Sequence, residues 1–231
     1  MIINSIGGLG DIMFCEPIYR HFLNKDGEKP MVLIHDHQMY MQEYIESANF
    51  IPASRYQSLV NDHIKTDNYL PLRFANPVYR SLNMFDYSDY ENCMPDKYLL
   101  AGLEVDLWKT LQLQFNPDKC TELMVGLDIT PKSEYILVNE YSRAGKIEIN
   151  PKTDYQIIKM DLHPDYTLMD WFFVMLFAKE NHHISTSTFY MLQAMTGYKG
   201  KIFIYPRPDE DGLRGISKLI PDFKYELITE F

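Results

Sequence analysis

The hydrophobic and polar positions of the first fifty residues switch between the period of a strand and the period of a helix. Short apolar runs at residues 2–5 and 31–35 predict buried strands, and apolar positions at helical spacing predict helices over residues 11–24 and 38–48. A polar stretch containing glycine and proline, residues 25–30, separates the two strand–helix pairs. This order of elements predicts a parallel sheet, because parallel neighbours need a crossover connection between them.

The pattern is poor from residue 51 to about residue 92, where tyrosine and aspartate are frequent. Three prolines interrupt it: Pro52, Pro71 and Pro77. We expect loops with short strands here, reaching over a binding cleft. A helix is expected within residues 98–115, and residues 116–122 are expected to form a break.

A second α/β pattern begins at Glu134. Apolar runs predict strands over residues 135–139, 155–160, 182–185, 201–205 and 225–228. Helices are predicted over residues 168–179 and 187–195, the second of them closed by Gly197. The pattern therefore indicates an α/β protein with two halves, joined within residues 116–133.

Composition and charge narrow the classes of partner. The chain has 231 residues, 46% of them hydrophobic, and a formal net charge of −10 from 22 basic and 32 acidic residues. This balance, without any basic run, disfavours nucleic acid and anionic membranes as partners but remains compatible with a small anionic ligand. The three cysteines are widely spaced and form neither a disulfide framework nor a zinc motif, which is typical of a reducing cytosol.

The N-terminus lacks the pattern of a signal peptide. The longest strongly apolar run, residues 171–178, is far shorter than the roughly 20 residues of a membrane-spanning helix. We therefore expect a cytoplasmic protein without a transmembrane segment.

The turn after the first predicted strand is rich in glycine and leads to Asp11 at the start of the first helix. A dinucleotide-binding turn has the pattern G-x-G-x-x-G, which Gly8 and Gly10 match but Met13 does not, and the acidic residue after the second strand, Asp36, comes late. Two other interpretations are open. Asp11 can cap the helix, or it can present a carboxylate for chemistry at the carboxyl edge of the sheet.

Two further segments can bind an anion. The strand predicted at 182–185 ends in a run of four hydroxyl residues that leads into the next helix: Ser185, Thr186, Ser187 and Thr188. They offer several hydroxyl and backbone N–H donors, although one of them suffices to cap a helix. The loop after the strand at 135–139 contains Ser142, Arg143 and Lys146. Its two cations can contact a phosphate, or the loop can be an ordinary solvated one.

Two histidine pairs raise the question of a metal site: His35 with His37, and His182 with His183. Neither pair has a third ligand at a recognisable spacing, so we expect no metal. The sequence also contains no G-x-S-x-G turn and no recognisable cysteine–histidine pairing, which disfavours a hydrolase.

The N-terminal pattern resembles the signature of a known enzyme family. The run Gly8-Leu9-Gly10-Asp11-Ile12 is followed by Pro17, six residues after the aspartate, and by a helix containing Tyr19 and Phe22. This spacing resembles the heptosyltransferase-like glycosyltransferases (the ADP-heptose:LPS heptosyltransferase family), which have the GT-B fold.

The C-terminal half adds to the resemblance. In that family a turn rich in Ser, Thr and Gly, followed by a helix ending in Ala-x-x-Gly, holds the diphosphate of the nucleotide sugar. Ala194-Met195-Thr196-Gly197 fits this ending. The family often has an aspartate near the start of the turn, where this chain has His183.

The resemblance implies two Rossmann-like domains facing across a cleft, and it implies a reaction. Residues 1–118 would form the acceptor-side domain and residues 119–231 the nucleotide-sugar-binding domain. A sugar would pass from a nucleoside-diphosphate sugar to the hydroxyl of a glycan or another acceptor, with inversion and without a metal or other cofactor. The chain is shorter than typical members of the family, which implies a trimmed acceptor-binding domain.

The resemblance also assigns roles to residues. Asp11 would be the catalytic base, and either Lys146 or Arg143 would contact a phosphate. The nucleotide-sugar site would comprise Gly8, Gly10, Ser142, Arg143, Lys146, Ser185, Thr186, Ser187 and Thr188.

Two alternatives belong to other functional classes. One is a non-catalytic protein that binds a nucleotide sugar or a glycan on the same fold, since a fold does not establish an activity. The other is an NAD(P)-dependent oxidoreductase, which the missing third glycine disfavours.

Overall fold

The structure is a computed structural model that describes residues 1–60, 66–72, 94–142, 145–161, 165–195, 198–207 and 225–228. The chain divides into two compact units, Met1–Gln114 and Phe115–Phe231, and each unit contains a parallel sheet. The α/β class and the parallel sheets predicted from the sequence are confirmed. The division expected between residues 118 and 119 stays a prediction.

The sheet of the first unit has four parallel strands in the order β3-β2-β1-β4. The strands are β1 Ile2–Asn4, β2 Met31–Ile34, β3 Asn49–Pro52 and β4 Tyr69–Pro71. The two central strands, β1 and β2, are the two that the apolar runs predict. Both lie inside the sheet, and neither contains a proline of the kind that ends β3 and β4.

The helix predicted over residues 11–24 is in fact two helices, Leu9–Phe14 and Glu16–Asp26, which meet at Cys15. Pro17 lies in the first turn of the second helix, where its missing N–H costs nothing, so it starts a helix here. Gly27 ends that helix with a φ of 74°, a left-handed conformation that favours glycine.

Several other helices of the first unit are short. The segment predicted as a helix over residues 38–48 is a 3₁₀ helix, Asp36–Glu43. The helix expected within residues 98–115 is an α-helix, Pro95–Ala101, followed by a 3₁₀ helix, Val105–Thr110. Gly102, with a φ of 75°, separates them. Between β3 and β4 lie the 3₁₀ helix Ala53–Tyr56 and the α-helix Gln57–Val60.

The sheet of the second unit has five parallel strands in the order β11-β10-β9-β5-β8. They are β5 Tyr135–Asn139, β8 Gln156–Lys159, β9 Glu180–Ile184, β10 Lys201–Tyr205 and β11 Glu226–Leu227. Two-residue strands β6 (Tyr141–Ser142) and β7 (Gly145–Lys146) form an antiparallel hairpin directly after β5.

The break expected over residues 116–122 is wrong, because residues Pro117–Gly126 form a helix. Asn116 caps this helix: its side-chain oxygen accepts hydrogen bonds from the N–H groups of Asp118 and Lys119. Asparagine followed by proline is a helix start signal as well as a loop signal. The Asn-Pro step therefore marks the start of a helix and not a gap between elements.

The remaining helices of this unit flank β9. The predicted helix over residues 168–179 is a 3₁₀ turn, Leu168–Trp171, continued by the α-helix Phe172–Phe177, and the next is Thr188–Ala194. Every residue of the inner strand β5 is buried, as expected for a sheet covered on both faces. In the described parts of the chain, no helix has the length and apolar character needed to cross a membrane.

Candidate functional site

Asp11 lies at the carboxyl edge of the first sheet, in the first turn of helix Leu9–Phe14. Its Oδ2 accepts a hydrogen bond from the backbone N–H of Gly8, the residue that caps this helix, at 2.9 Å. A Cβ atom added to Gly7 would approach Asp11 Cγ to 2.9 Å, so the carboxylate packs directly on the glycine turn. The turn therefore needs glycine because the aspartate folds back over it.

The other oxygen of Asp11 is paired with a lysine distant in sequence. Lys97 Nζ lies 2.5 Å from Asp11 Oδ1. Only 1% of the Lys97 side chain is exposed, against 19% of the Asp11 side chain. A buried ammonium needs a counter-charge, and Asp11 supplies it. No sequence pattern indicates Lys97, since 86 positions separate it from Asp11.

Buried hydrogen bonds fix the elements around this pair. The hydroxyl of Tyr98, next to Lys97, donates to the carbonyl of Phe14 at 2.6 Å. That bond ties the helix carrying Lys97 to the end of the helix carrying Asp11. Gln38 lies in the 3₁₀ helix after β2, and its side-chain amide donates a hydrogen bond to the carbonyl of Gly7 at 3.1 Å. Gly8 and Lys97 thus bind the carboxylate, while Gln38 and Tyr98 hold the turn and the helix that carry it.

Cys15 is buried, and the charges of Asp11 and Lys97 both act on its thiol. The hydroxyl of Tyr19 donates a hydrogen bond to Ser5 Oγ at 2.7 Å. Burial raises the pKa of the Cys15 thiol to about 11, although the Lys97 charge opposes this. The thiol stays protonated at neutral pH and is a poor nucleophile. Asp11 is therefore the reactive group that this cluster presents to solvent.

The second unit gathers a different charge cluster at the carboxyl edge of its sheet. Glu140 follows β5 directly and is buried, with 3% of its side chain exposed. Its Oε1 accepts from Lys159 Nζ at 2.8 Å and from the N–H of Ile149 at 3.1 Å. Its Oε2 lies 3.2 Å from Lys146 Nζ. The two lysine side chains are half-exposed, 49% for Lys146 and 52% for Lys159.

The ionisation of this cluster follows from its contacts. Burial raises the pKa of the Glu140 carboxyl, but hydrogen bonds from Lys159, Ile149 and Lys146 outweigh burial and leave the pKa below its usual value. Hydrogen bonding to Glu140 and its charge raise the pKa of Lys146. These shifts keep Glu140 and Lys146 charged at neutral pH. One glutamate and two lysines give the cluster a formal charge of +1.

The hairpin after β5 contains the residues predicted from the basic loop. Ser142 Oγ donates to the carbonyl of Gly145 at 3.1 Å, which closes the hairpin. Lys146 Nζ also lies over the ring of Tyr141, 5.2 Å from its centroid. Arg143, the second cation predicted in this loop, lies outside the described residues.

The hydroxyl run follows β9 at the same edge of the sheet and contacts the end of β5. Thr186 Oγ1 is 3.4 Å from the side-chain amide of Asn139, the last residue of β5, and 3.1 Å from Thr188 Oγ1. Ser185 is buried, and its N–H donates to the carbonyl of Tyr205. Ser187 is the N-cap residue of helix Thr188–Ala194 but makes no side-chain capping bond.

The two histidines of β9 form hydrogen bonds with neighbouring side chains, which is typical of a structural role. The side-chain N–H of Asn181 donates to the carbonyl of Met175. The side-chain oxygen of Asn181 is therefore the acceptor for His183 Nε2 at 3.1 Å, so Nε2 carries the proton. Burial, together with the nearby His182, lowers the pKa of His183 to about 3. His182 contacts Tyr205 and Glu180 instead. Among the described residues, no group of three or more His, Cys, Asp or Glu side chains could hold a metal ion.

The structure thus places the predicted site residues in two groups. Asp11, Gly8 and Gly10 lie in the first unit. There the Asp11 carboxylate accepts a hydrogen bond from the Gly8 N–H, and Gly10 lies within the helix. Ser142, Lys146 and the four hydroxyl residues lie at the carboxyl edge of the second sheet. No sequence pattern indicates Lys97, Glu140 or Lys159, whose roles appear only through their contacts. The binding roles assigned to the predicted residues stay predictions.

The chain shares its fold with solved glycosyltransferases. It is similar to the crystal structure of the glycosyl transferase family 9 from Veillonella parvula, with 11% identity and a TM-score of 0.59, over 98% of this chain and 85% of that one. It is also similar to E. coli ADP-heptose LPS heptosyltransferase II, with 12% identity and a TM-score of 0.60, over 99% of this chain and 90% of that one.

At these identities the likeness concerns the fold, and it extends over both units. The heptosyltransferase-like fold expected from the glycine–aspartate signature is confirmed. No protein-family model matches the sequence, and no curated protein matches it either.

Proposed function

We propose that the protein transfers a sugar from a nucleoside-diphosphate sugar to an acceptor hydroxyl. The observation that carries this proposal is the Asp11 carboxylate, held at both oxygens yet partly exposed, at the first strand–helix turn of a fold shared with glycosyltransferases. Such a carboxylate is oriented before a substrate arrives, which is what a general base needs.

In the proposed reaction Asp11 accepts the proton of the acceptor hydroxyl. The acceptor oxygen forms a bond to the anomeric carbon, while the bond from that carbon to the diphosphate oxygen breaks. The leaving nucleoside diphosphate takes the bonding electron pair. A single displacement of this kind inverts the configuration at the anomeric carbon. Because an ionised carboxylate has about four lone-pair positions, the contacts with Gly8 and Lys97 leave room for the substrate proton.

The second unit supplies the positive charge that stabilises the leaving diphosphate. The negative charge that develops on the diphosphate is stabilised by cations and hydrogen-bond donors placed in advance. Lys146 and the hydroxyl run after β9 lie on one sheet edge and offer such donors. We propose that these groups, with Arg143, take the role that a divalent cation takes in other transferases, so that transfer proceeds without a metal.

A second candidate function is non-catalytic binding of a nucleotide sugar or a glycan. The ion pair between Asp11 and Lys97 favours it, because a residue that neutralises a buried lysine has a structural role already. The oxidoreductase alternative is weaker. The Gly8 N–H, a donor that a dinucleotide-binding turn directs at a phosphate, here binds the Asp11 carboxylate.

The test must separate catalysis from folding, because Asp11→Asn also removes the counter-charge of Lys97. A thermal-shift panel of nucleoside diphosphates, nucleotide sugars and NAD(P) first identifies the donor, since a bound ligand raises Tm. Release of nucleoside diphosphate is then compared between Lys97→Met and Asp11→Asn/Lys97→Met, two variants that both lack the buried charge.

We expect Lys97→Met to retain measurable turnover and the double variant to lose 100-fold or more of it, about the contribution of a general base. Equal turnover in the two variants would remove Asp11 from the mechanism. Nucleotide-sugar binding without turnover in any form, including the wild type with a panel of hydroxyl acceptors, would favour the non-catalytic function. Turnover in EDTA and the anomeric configuration of the product test metal independence and inversion.

A further inference from the structure

We propose that Lys159 binds the diphosphate of the donor together with Lys146, and that the buried Glu140 carboxylate positions both lysines for it. This inference rests on the proposed function and adds to it two residues, Lys159 and Glu140, that no sequence pattern indicated. We call the three side chains the Glu140 cluster.

The geometry places the two ammonium groups side by side. Lys159 is the last residue of β8, which pairs in parallel with β5, so that Lys159 lies opposite Val138, two residues before Glu140. Lys146 comes from the hairpin between β5 and β8, in strand β7. Each lysine binds a different oxygen of Glu140, at 2.8 and 3.2 Å. Both ammonium groups are therefore anchored at one point of the sheet edge.

The cluster carries more positive charge than is required to neutralise the Glu140 carboxylate. The buried carboxylate already has a backbone donor, Ile149, and one lysine would neutralise its charge. The second lysine leaves a charge of +1 at a half-exposed position. An ammonium has three donors, and Glu140 uses one from each lysine, so the remaining donors are directed away from the carboxylate and toward solvent.

A role in stability explains one of the two lysines, which neutralises the buried carboxylate, but not the second. An additional ion pair with an exposed lysine contributes little to stability, because solvent screens it and ordering a long side chain costs entropy. The same ordering becomes useful when an anion binds, since the entropy of the lysines has been lost before the ligand arrives. Glu140 thus converts two mobile side chains into a preorganised cationic site.

The surroundings of the cluster fit a diphosphate. Asn139, the neighbour of Glu140, contacts Thr186 in the hydroxyl run after β9. One edge of the sheet therefore combines a cationic pair with hydroxyl donors, over the two adjacent strands β5 and β9 and the strand β8. A ligand with two linked phosphates uses both kinds of donor, whereas a monophosphate uses fewer of them.

The experiment compares four single variants in the full-length protein: Lys159→Gln, Lys146→Gln, Glu140→Gln and, as a matched control, Lys179→Gln. Lys179 is also a half-exposed lysine paired with one carboxylate, Glu134, but it lies at the amino edge of the same sheet, next to Tyr135. Isothermal titration calorimetry gives Kd for the nucleoside diphosphate with the largest Tm increase in the wild type and for the matching monophosphate.

We expect Lys159→Gln and Lys146→Gln each to weaken diphosphate binding about tenfold or more, the usual effect of one charge-assisted hydrogen bond. Monophosphate binding should weaken less, and Lys179→Gln should change neither constant. Lys159→Arg should retain most of the affinity. Glu140→Gln should also weaken diphosphate binding, although it makes the cluster more positive. Charge alone would tighten binding in Glu140→Gln, so tighter binding would overturn the positioning role.

The two proposals fail in different ways. If Lys146→Gln weakens diphosphate binding and Lys159→Gln binds as tightly as Lys179→Gln, the inference about Lys159 is wrong and the proposed function stands. If the wild type binds no nucleoside diphosphate and no nucleotide sugar, both proposals are wrong.

Discussion

Each unit of the protein has a carboxylate–lysine cluster at the carboxyl edge of its parallel sheet, but the two clusters bury opposite charges. In the first unit the ammonium of Lys97 is buried and the carboxylate of Asp11 reaches solvent. In the second unit the carboxylate of Glu140 is buried and the ammonium groups of Lys146 and Lys159 reach solvent. The same ion pair thus presents a base in one unit and cations in the other.

The comparison teaches that the buried partner decides what the exposed partner can do. A buried charge must be neutralised, so it fixes the position of its partner. The exposed partner keeps the lone pairs or donors that the pair does not use, and these can meet a substrate. Burying a lysine therefore gives an oriented carboxylate, and burying a glutamate gives oriented ammonium groups. Removing the exposed partners, and disturbing the turn that supports one of them, tests this difference.

The largest effect is expected from removing the exposed partner in the first unit. Asp11→Asn deprives the buried Lys97 of its carboxylate and should lower the free energy of unfolding by up to about 3–5 kcal/mol. Asp11→Asn/Lys97→Met should recover most of this loss, because no buried charge remains. Chemical denaturation at pH 7 measures both values. A double variant as unstable as Asp11→Asn would show that Lys97 is not the cause.

The second prediction removes both exposed partners in the second unit. Lys146→Gln/Lys159→Gln leaves the buried Glu140 carboxylate with its backbone donor only, and we expect a loss of roughly 2–3 kcal/mol at pH 7. Adding Glu140→Gln should restore stability, since the buried charge is then gone. Single lysine variants should cost much less, because the other lysine still neutralises Glu140.

The pH dependence of this loss has a definite sign. In the wild type the pKa of Glu140 is lowered from 4.5, so its contribution to stability is present above that pH and is lost as the pH falls through the lower value. Without the lysines, burial remains and raises the pKa of Glu140. The stability deficit of the double variant should therefore shrink as the pH falls from neutral toward 4.5, because its Glu140, with a raised pKa, takes up a proton before the wild-type carboxyl does. A deficit that stays constant over this range would contradict the assignment to Glu140.

The smallest effect concerns the glycine turn that supports Asp11. A Cβ at position 7 would lie 2.9 Å from Asp11 Cγ, while a Cβ at position 8 would lie 3.2 Å from Asp11 Oδ2. Gly7→Ala should therefore cost about 1–2 kcal/mol and displace the carboxylate, and Gly8→Ala should cost less. Gly126→Ala is the control, because its Cβ would meet no atom within 4 Å. Thermal denaturation ranks the three variants, and equal Tm values for Gly7→Ala and Gly126→Ala would refute the close packing.

Prediction from the sequence succeeded where a signal is local. Strands β5 and β10 have the bounds that their apolar runs indicate, and the parallel order follows from the alternation of strands and helices. It failed where one signal has two meanings. The Asn116–Pro117 step was interpreted as a break and begins a helix, and the helix around Cys15 was interpreted as continuous and is divided. In both cases a proline starts a helix.

For the candidate site the limit was distance along the chain. Asp11 and Lys146 were identified because each follows a strand within a few residues and stands in a recognisable pattern. Lys97 and Lys159 lie 86 and 19 positions from their carboxylates, and neither stands in a pattern of its own.

The sequence by itself determined the α/β class, the two parallel sheets and the strand–loop positions from which Asp11, Lys146 and the hydroxyl run after β9 extend. These follow from periodicity and from turn chemistry, which act between near neighbours. Only the tertiary structure decided which member of each ion pair is buried. Burial depends on how distant segments pack, and the free energy of a charge depends on that packing more than on its neighbours in sequence. The sign of the charge that each unit presents to a substrate is therefore a tertiary property.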